Sequence, residues 1–181
     1  MALSATMYNF EIQLSDVDRG VYEALALRVA QHPSESDEYL ITRVLAYCRE
    51  FAEGIGFSRG IAEPEEPTLS VRDLTGVIQV WIEIGGPDAP RLHKAGKAAP
   101  RVVVYTHRDA TQVLRPLLGQ KIHRAEALEI YGFERALVAA LVERLSRRMT
   151  FDLSITDGTL YVSLGGETLS GTIERIALPA P

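Results

Sequence analysis

The sequence predicts a mixed α/β fold, and three patterns carry that prediction. Apolar and polar residues alternate along residues 6–14, which is the spacing of a half-buried β-strand. A helix-forming segment at residues 88–98 separates strand-like segments at residues 77–84 and 101–106, as in a parallel β-α-β crossover. Residues 149–176 contain the turn dipeptides Asp-Gly and Gly-Gly of β-hairpins. All-α and all-β folds are therefore excluded.

The length and composition predict a single domain over residues 1–181. Hydrophobic residues make up 46% of the chain and charged residues 24%, which suits a packed core. The one cysteine excludes a disulfide framework or a thiolate zinc cluster within the chain. No apolar run approaches the roughly 20 residues of a membrane span. The N-terminus lacks the basic start and long apolar stretch of a signal peptide. We therefore expect a soluble, cytoplasmic protein without a membrane partner.

Residues 5–30 predict a β-hairpin. The turn-forming segment SDVDRG follows the first strand, and alternating valine and leucine residues resume over residues 21–30. The alanine and leucine content of this second segment also suits a helix. We favour a strand, because a strand closes the hairpin.

Residues 35–53 predict the first helix. Ser34 is the expected N-cap, the acidic residues after it suit the positive end of the helix dipole, and Gly54 is expected to end the helix. Glu38 falls at the N-terminal end of the apolar stripe of this helix. Cys48 lies on the stripe, so we expect an inert core thiol.

The rest of the chain predicts alternating strands and helices, followed by C-terminal hairpins. In the strand at residues 77–84, isoleucine and valine occupy the even positions, and Glu83 shares the other face with Trp81. The other predicted strands cover residues 55–61, 69–72, 101–106 and 127–131. The other predicted helices cover residues 88–98, 109–120 and 134–147. Asp88 or a neighbour is the expected cap of the first of these helices.

Positive charge is concentrated in the middle of the chain. Residues 88–124 contain eight basic and two acidic residues, although the whole chain has a formal net charge of −5. The net charge argues against a general nucleic-acid binder, whereas the basic segment suits a local contact with a polyanion. The alternative interpretation is a solvated helical face.

Four segments resemble the YaeQ family of bacterial proteins, in the order of that family. They are residues 14–22 (LSDVDRGVY), 32–43 (HPSESDEYLITR), 66–69 (EPTL) and 81–88 (WIEIGGPD). The order of elements, with a glutamate near the end of the third strand, also resembles the restriction-endonuclease-like PD-(D/E)XK superfamily. This resemblance implies a mixed sheet flanked by helices, with a nuclease-like core at about residues 34–106. Residues 5–30 and 149–176 would then be added hairpins.

The resemblance also implies a metal site. In that superfamily a helix carboxylate, an aspartate that starts the second strand and a glutamate that ends the third hold Mg²⁺. The corresponding ligands here would be Glu38, with Asp37 or Glu35 beside it, and Glu83. Mg²⁺ or Mn²⁺ is the implied cofactor, and no organic cofactor is expected.

Two positions depart from the pattern of the superfamily. Thr68 stands where the aspartate is expected, and Gly85 where the lysine of the pattern is expected. Thr68 can offer a neutral oxygen to the metal. Arg91 or Lys94 on the next helix can take over the role of the lysine on the phosphate. The candidate nucleic-acid contacts are Lys94, Lys97 and Arg101.

Three functions remain open on the sequence. The first is metal-dependent hydrolysis of a phosphodiester, with Glu83, Lys94 and Arg91 as catalytic residues. The second is a non-catalytic nucleic-acid- or protein-binding regulatory module that retains the nuclease fold. The third is a role in protein interaction alone. Without the resemblance, Glu83 is an exposed or salt-bridged glutamate, and Glu38 is an ordinary acid in the first turn of a helix.

Overall fold

The computed structural model describes residues 4–58 and 65–180. Within these residues the chain forms ten β-strands, four α-helices and two short 3₁₀ turns. The strands are β1 (Thr6–Asp16), β2 (Val21–Gln31), β3 (Ile55–Phe57), β4 (Leu69–Arg72), β5 (Ile78–Ile84), β6 (Arg101–Thr106), β7 (Glu129–Phe133), β8 (Arg148–Thr156), β9 (Thr159–Leu164) and β10 (Glu167–Arg175). The helices are α1 (Asp37–Arg49), α2 (Ala89–Ala98), α3 (Ala110–Leu114) and α4 (Arg135–Glu143).

All ten strands join one mixed sheet in the order β2-β1-β8-β9-β10-β7-β6-β5-β4-β3. The pairs β1–β8, β5–β6 and β6–β7 are parallel, and the other neighbours are antiparallel. The predicted mixed α/β fold and the parallel crossover through α2 are confirmed. The N-terminal hairpin and the C-terminal hairpins lie side by side, because β1 pairs with β8.

The two faces of the β5–β7 region carry different cores. Helices α1 and α4 pack on one face, together with Ile82 and Tyr105 and with the inward residues of β1, β2, β8 and β9. Helix α2 covers the other face, where Trp81 packs with Val102 and Val104. Successive residues of β5 and β6 therefore point into different cores, as the two-residue period of a strand requires.

The ambiguous segment at residues 21–30 is a strand, as predicted. Leu25, Leu27 and Val29 are buried, and Ala26 and Arg28 between them are exposed. A helix would have turned Leu27 to the opposite side from Leu25 and Val29, whereas the strand places all three side chains in the core. Cys48 is buried in the same core, and burial raises the pKa of its thiol to about 12, which makes it unreactive.

Helix α1 is shorter than the predicted helix over residues 35–53. Its N-cap is Ser36 rather than Ser34, because the Ser36 hydroxyl accepts the backbone N–H of Tyr39 at 3.1 Å. Ser34 instead lies beside His32, whose Nδ1 is 2.8 Å from the serine hydroxyl. The two serines are equally good caps in sequence, and only the direction of the chain before the helix distinguishes them.

The other element boundaries also differ. The predicted helix over residues 109–120 is the five-residue α3 and a 3₁₀ turn, because Pro116 has no N–H to continue an α-helix. The helix predicted over residues 134–147 ends at Glu143. Of the predicted strand at residues 55–61, β3 is observed, and residues 59–61 lie outside the described part of the chain.

The turn between β1 and β2 connects three parts of the fold. Buried Asp16 pairs with Arg19 at 2.7 Å, and the Arg19 guanidinium donates to the carbonyl oxygen of Phe51 at 2.9 Å, just beyond α1. The Asp18 carboxylate accepts the backbone N–H groups of the β8–β9 turn, and these hydrogen bonds lower the pKa of Asp18. The acidic and basic residues of the segment SDVDRG therefore have structural partners.

No helix in residues 4–58 and 65–180 is both long and apolar enough to cross a membrane.

Candidate functional site

Glu83 is the best-defined of the predicted site residues. It is the next-to-last residue of β5, and only 3% of its surface is exposed. Its Oε1 accepts a hydrogen bond from Trp81 Nε1 at 2.7 Å and lies 2.9 Å from a terminal nitrogen of Arg91. Glu83 is therefore a buried, salt-bridged carboxylate. A buried carboxylate needs such partners, because burial removes the water that would otherwise stabilise its charge.

Helix α2 brings Arg91 to Glu83. The Asp88 side chain is the N-cap and accepts the backbone N–H of Arg91 at 2.9 Å, as predicted for this helix. This first turn places the Arg91 guanidinium 5.9 Å from the centre of the Trp81 ring. Arg91 also donates to the carbonyl oxygen of Glu66 at 2.7 Å, so it joins α2, β5 and the segment before β4.

Gly85 occupies a position that a lysine does not readily adopt. Its φ of +89° is in the left-handed region, which favours glycine. A Cβ at this position would lie 3.7 Å from the ring of Tyr39. The turn that leads from β5 into α2 thus uses glycine where the superfamily pattern has its lysine, and the backbone gives a physical reason for the departure.

Thr68 and Tyr39 meet at the same end of β5. Burial raises the pKa of the Tyr39 hydroxyl, and a hydrogen bond with the Thr68 side chain partly offsets that effect. Tyr39 is also close enough to Glu83 and to Glu35 for their charges to raise its pKa. The Thr68 side chain, predicted to offer a neutral oxygen to the metal, therefore lies near this tyrosine.

Glu38 lies on a different layer from Glu83. Helix α1, which carries Glu38, packs on the face of the sheet that Ile82 occupies, whereas Glu83 shares the opposite face with Trp81. The charge of Glu38 acts on His107, at the end of β6. In the part of the chain that the structure describes, no three acidic, histidine or cysteine side chains form a group that could hold a metal ion.

The donor atoms of this arrangement do not fit Mg²⁺ or Mn²⁺. The metal needs several free oxygen ligands in an octahedral shell. Here the Glu83 Oε1 already accepts from two donors. The positive charge next to Glu83 comes from Arg91. The assignment of Glu38, Glu83 and Thr68 as metal ligands stays a prediction.

Several basic residues of the 88–124 segment have partners within the fold. Lys94 pairs with Glu65, and Arg101 binds Glu50 and Glu129 at 2.7 and 2.6 Å. Arg124 donates to backbone carbonyls at the end of α2. Lys97 is exposed, and its charge lowers the pKa of His93 after the larger effect of burial. Lys94 and Arg101 therefore have acidic partners within the fold, and their role in nucleic-acid binding stays a prediction, as does that of Lys97.

Sequence reasoning did not identify Tyr39 as a site residue. It lies in the middle of the segment HPSESDEYLITR, directly after Glu38, and nothing in its spacing relates it to β5. Only the packing of α1 against the end of β5 brings Tyr39 next to Gly85 and Thr68.

Fold and site together define a mixed α/β sheet protein whose internal glutamate is held by an arginine and a tryptophan. The family model described as YaeQ protein matches residues 1–173. The chain belongs to the YaeQ family.

Similar proteins agree with this assignment. The uncharacterized YaeQ protein of Salmonella typhi is 32% identical over 164 residues, which cover 90% of this chain and 91% of that protein. The uncharacterized YaeQ protein of Escherichia coli K12 is 31% identical with the same coverage. The crystal structure of the YaeQ protein from Xanthomonas axonopodis pv. citri has a TM-score of 0.85 and 31% identity, and covers 97% of this chain and 100% of its own. The YaeQ protein of Pseudomonas syringae has a TM-score of 0.84 and 28% identity, with 96% of each chain covered.

Proposed function

We propose that this chain is a non-catalytic binding module that retains a nuclease-like fold, and that Arg91 takes the place of the metal ion beside Glu83. The observation that carries the proposal is the contact of the buried Glu83 carboxylate with both Trp81 and Arg91. The proposal is the second of the functions that the sequence left open.

The ion pair supports the proposal on electrostatic grounds. In a metal-dependent nuclease, the divalent cation compensates the charge of the buried carboxylates. Here Arg91 provides one full positive charge at 2.9 Å and is itself anchored by the carbonyl of Glu66. A metal ion at Glu83 would have to displace Arg91 from both partners or bind beside it against charge repulsion.

The surroundings of Glu83 support the proposal as well. Thr68 adds no carboxylate at the start of β4, and Gly85 adds no cation at the end of β5. The left-handed backbone at Gly85 makes a lysine there costly. Two of the four chemical groups of the superfamily pattern, the aspartate and the lysine, are thus missing, and the glutamate is paired with Arg91.

A cleavage assay tests the proposal. The protein is incubated with labelled single-stranded and double-stranded DNA and RNA in Mg²⁺, in Mn²⁺ and in EDTA. We expect no cleavage in any condition, and a binding affinity for any nucleic-acid ligand that EDTA leaves unchanged. Thr68→Asp is expected to gain no cleavage, because Glu83 remains bonded to Arg91. Metal-dependent cleavage by the wild-type protein that Glu83→Gln abolishes would overturn the proposal.

A further inference from the structure

Three exposed arginines surround one concavity away from Glu83. The concavity has a volume of about 480 Å³ and is lined by His107, Arg108, Gln112, Arg115, Pro116 and Arg135. We call it the arginine cleft. Arg108, Arg115 and Arg135 are all exposed, and none of the described residues that line the cleft is acidic. The size is within the range of sites that bind small ligands.

The arginine cleft lies at the carboxyl end of the parallel part of the sheet. His107 and Arg108 directly follow β6, and Arg135 starts α4 directly after β7, the parallel neighbour of β6. Open sheets with parallel strands bind ligands at this end, because the loops that follow neighbouring strands converge there. The cleft is therefore at the place in the fold where side chains from separate loops can act on one ligand.

Gly86 makes room for one of the guanidinium groups. A Cβ at Gly86 would come within 2.9 Å of a terminal nitrogen of Arg108. The absence of a side chain at Gly86 thus lets the Arg108 guanidinium lie against the backbone of the turn that follows β5. This contact holds Arg108 by packing without using its charge.

The three arginines of the cleft form no salt bridge with a carboxylate of the described residues. Within residues 4–58 and 65–180, no carboxylate lies within 4.0 Å of a side-chain nitrogen of Arg108, Arg115 or Arg135. The contrast with Lys94 and Arg101 is clear, because those two are paired with glutamates.

The pKa of His107 is affected by the same concentration of positive charge. Burial lowers the pKa of His107, and the charges of Arg108 and Arg135 lower it further, while Glu38 opposes them. These effects favour the neutral form of the imidazole. Its Nδ1 lies 3.3 Å from the Thr42 hydroxyl, which orients the ring. A neutral imidazole can donate or accept a hydrogen bond without adding to the repulsion among the arginines.

We propose that the arginine cleft binds a phosphate group, carried either by a nucleic-acid strand or by a free nucleotide. Guanidinium groups match the geometry of phosphate oxygens and form charge-assisted, bidentate hydrogen bonds with them. An anion in the cleft would relieve the repulsion among the three arginines. The inference gives the binding module proposed above its class of ligand and rests on that proposal for its biological role.

Binding measurements on a charge-matched pair of variants test the inference. The cleft variant is Arg108→Gln with Arg135→Gln, and the control is Arg28→Gln with Arg147→Gln, which removes the same charge from exposed sites outside the cleft. Fluorescence anisotropy measures binding of labelled single-stranded RNA, single-stranded DNA and duplex DNA at about 50 and 200 mM salt, in EDTA. Calorimetry measures binding of inorganic phosphate and ATP.

We expect the cleft variant to bind at least one of these probes about tenfold more weakly or worse, since each lost guanidinium removes charge-assisted hydrogen bonds. For an oligonucleotide, the slope of log affinity against log salt should also fall by about 1 to 2. If the phosphate binds in the cleft, the affinity of the control variant should stay within about twofold of the wild-type affinity. Binding of ATP alone identifies a nucleotide as the source of the phosphate, and binding of oligonucleotides alone identifies a nucleic acid.

Two results would overturn the inference. One is equal binding by the wild-type protein and the cleft variant, which would place the ligand elsewhere and leave the proposed function intact. The other is absence of binding to every probe at the lower salt concentration. Metal-dependent cleavage of a probe that the cleft variant no longer binds would contradict the proposed function while supporting the cleft.

Discussion

The variant Arg91→Gln is expected to unfold with a free energy about 3 kcal/mol lower than that of the wild-type protein, because it leaves Glu83 buried without its cation. Glu83 is 3% exposed, so water cannot replace the guanidinium. Arg91 is partly exposed, with 26% of its side-chain surface accessible. The expected loss of unfolding free energy is therefore at the low end of the range for breaking a buried ion pair. Urea titration measures the free energy, and the fluorescence of Trp81, the one tryptophan, reports the state of the site.

A double-mutant cycle separates the ion pair from other effects of the substitution. Glu83→Gln removes the charge and keeps an oxygen that can accept from Trp81. The double variant Glu83→Gln with Arg91→Gln should lose less stability than the sum of the single losses, by about 1 kcal/mol or more. Arg147→Gln, an exposed arginine outside the site, should change stability by less than about 0.5 kcal/mol. Additive losses for Glu83 and Arg91 would contradict the account of the pair.

The second large effect is expected at Arg101. Its guanidinium donates to buried Glu50 at 2.7 and 3.0 Å and to Glu129 at 2.6 and 3.1 Å, and Tyr105 donates its hydroxyl to Glu50 at 2.5 Å. Arg101→Met leaves two carboxylates without their shared cation at the start of β6. We expect a loss of about 3 kcal/mol, measured by urea denaturation at pH 7. Arg175→Met, which removes a 3.9 Å contact with Glu129 and long hydrogen bonds to Tyr131 and Leu128 from an exposed side chain, is the control and should cost much less.

The pH dependence of this network has a definite sign. Burial acts to raise the pKa of Glu129, but its hydrogen bonds with Arg101 and the charge of Arg101 outweigh burial and hold the pKa below its usual 4.5. A carboxylate with a lowered pKa stabilises the fold above its unfolded pKa, and that contribution is lost as the pH falls through the folded pKa. The wild-type protein should therefore lose its advantage over Arg101→Met as the pH falls below about 4.5. An advantage that persists unchanged in acid would contradict this assignment.

The N-terminal strands were predictable from the sequence because side chains alternate with a period of two residues along a strand and only one face of these two strands is buried. The alternation in residues 6–14 and 21–30 requires no knowledge of the rest of the chain, and the structure confirms both strands. Helix ends were not predictable to the residue. Ser34 and Ser36 are equivalent caps in sequence. Which of them caps α1 depends on the path of the backbone between β2 and α1.

The partners of charged residues were the least predictable feature. Glu83 was expected to be exposed or salt-bridged, or to hold a metal, and its pairing with Arg91 depends on the turn at Gly85 and the cap at Asp88. Lys94 and Arg101 were predicted to contact nucleic acid because they lie in the basic segment. In the structure both have acidic partners from other parts of the chain. The pairing of β6 with β7 creates the arginine cleft by bringing Arg135 close to Arg108.

The central claim is that Arg91 has replaced the metal ion at Glu83, and Mn²⁺ calorimetry tests it most directly. Titration of Mn²⁺ into the wild-type protein, with and without a short DNA duplex, should give no saturable binding. Glu83→Gln should behave in the same way. Saturable Mn²⁺ binding by the wild-type protein in the micromolar range that disappears in Glu83→Gln would contradict the claim and restore Glu83 as a metal ligand.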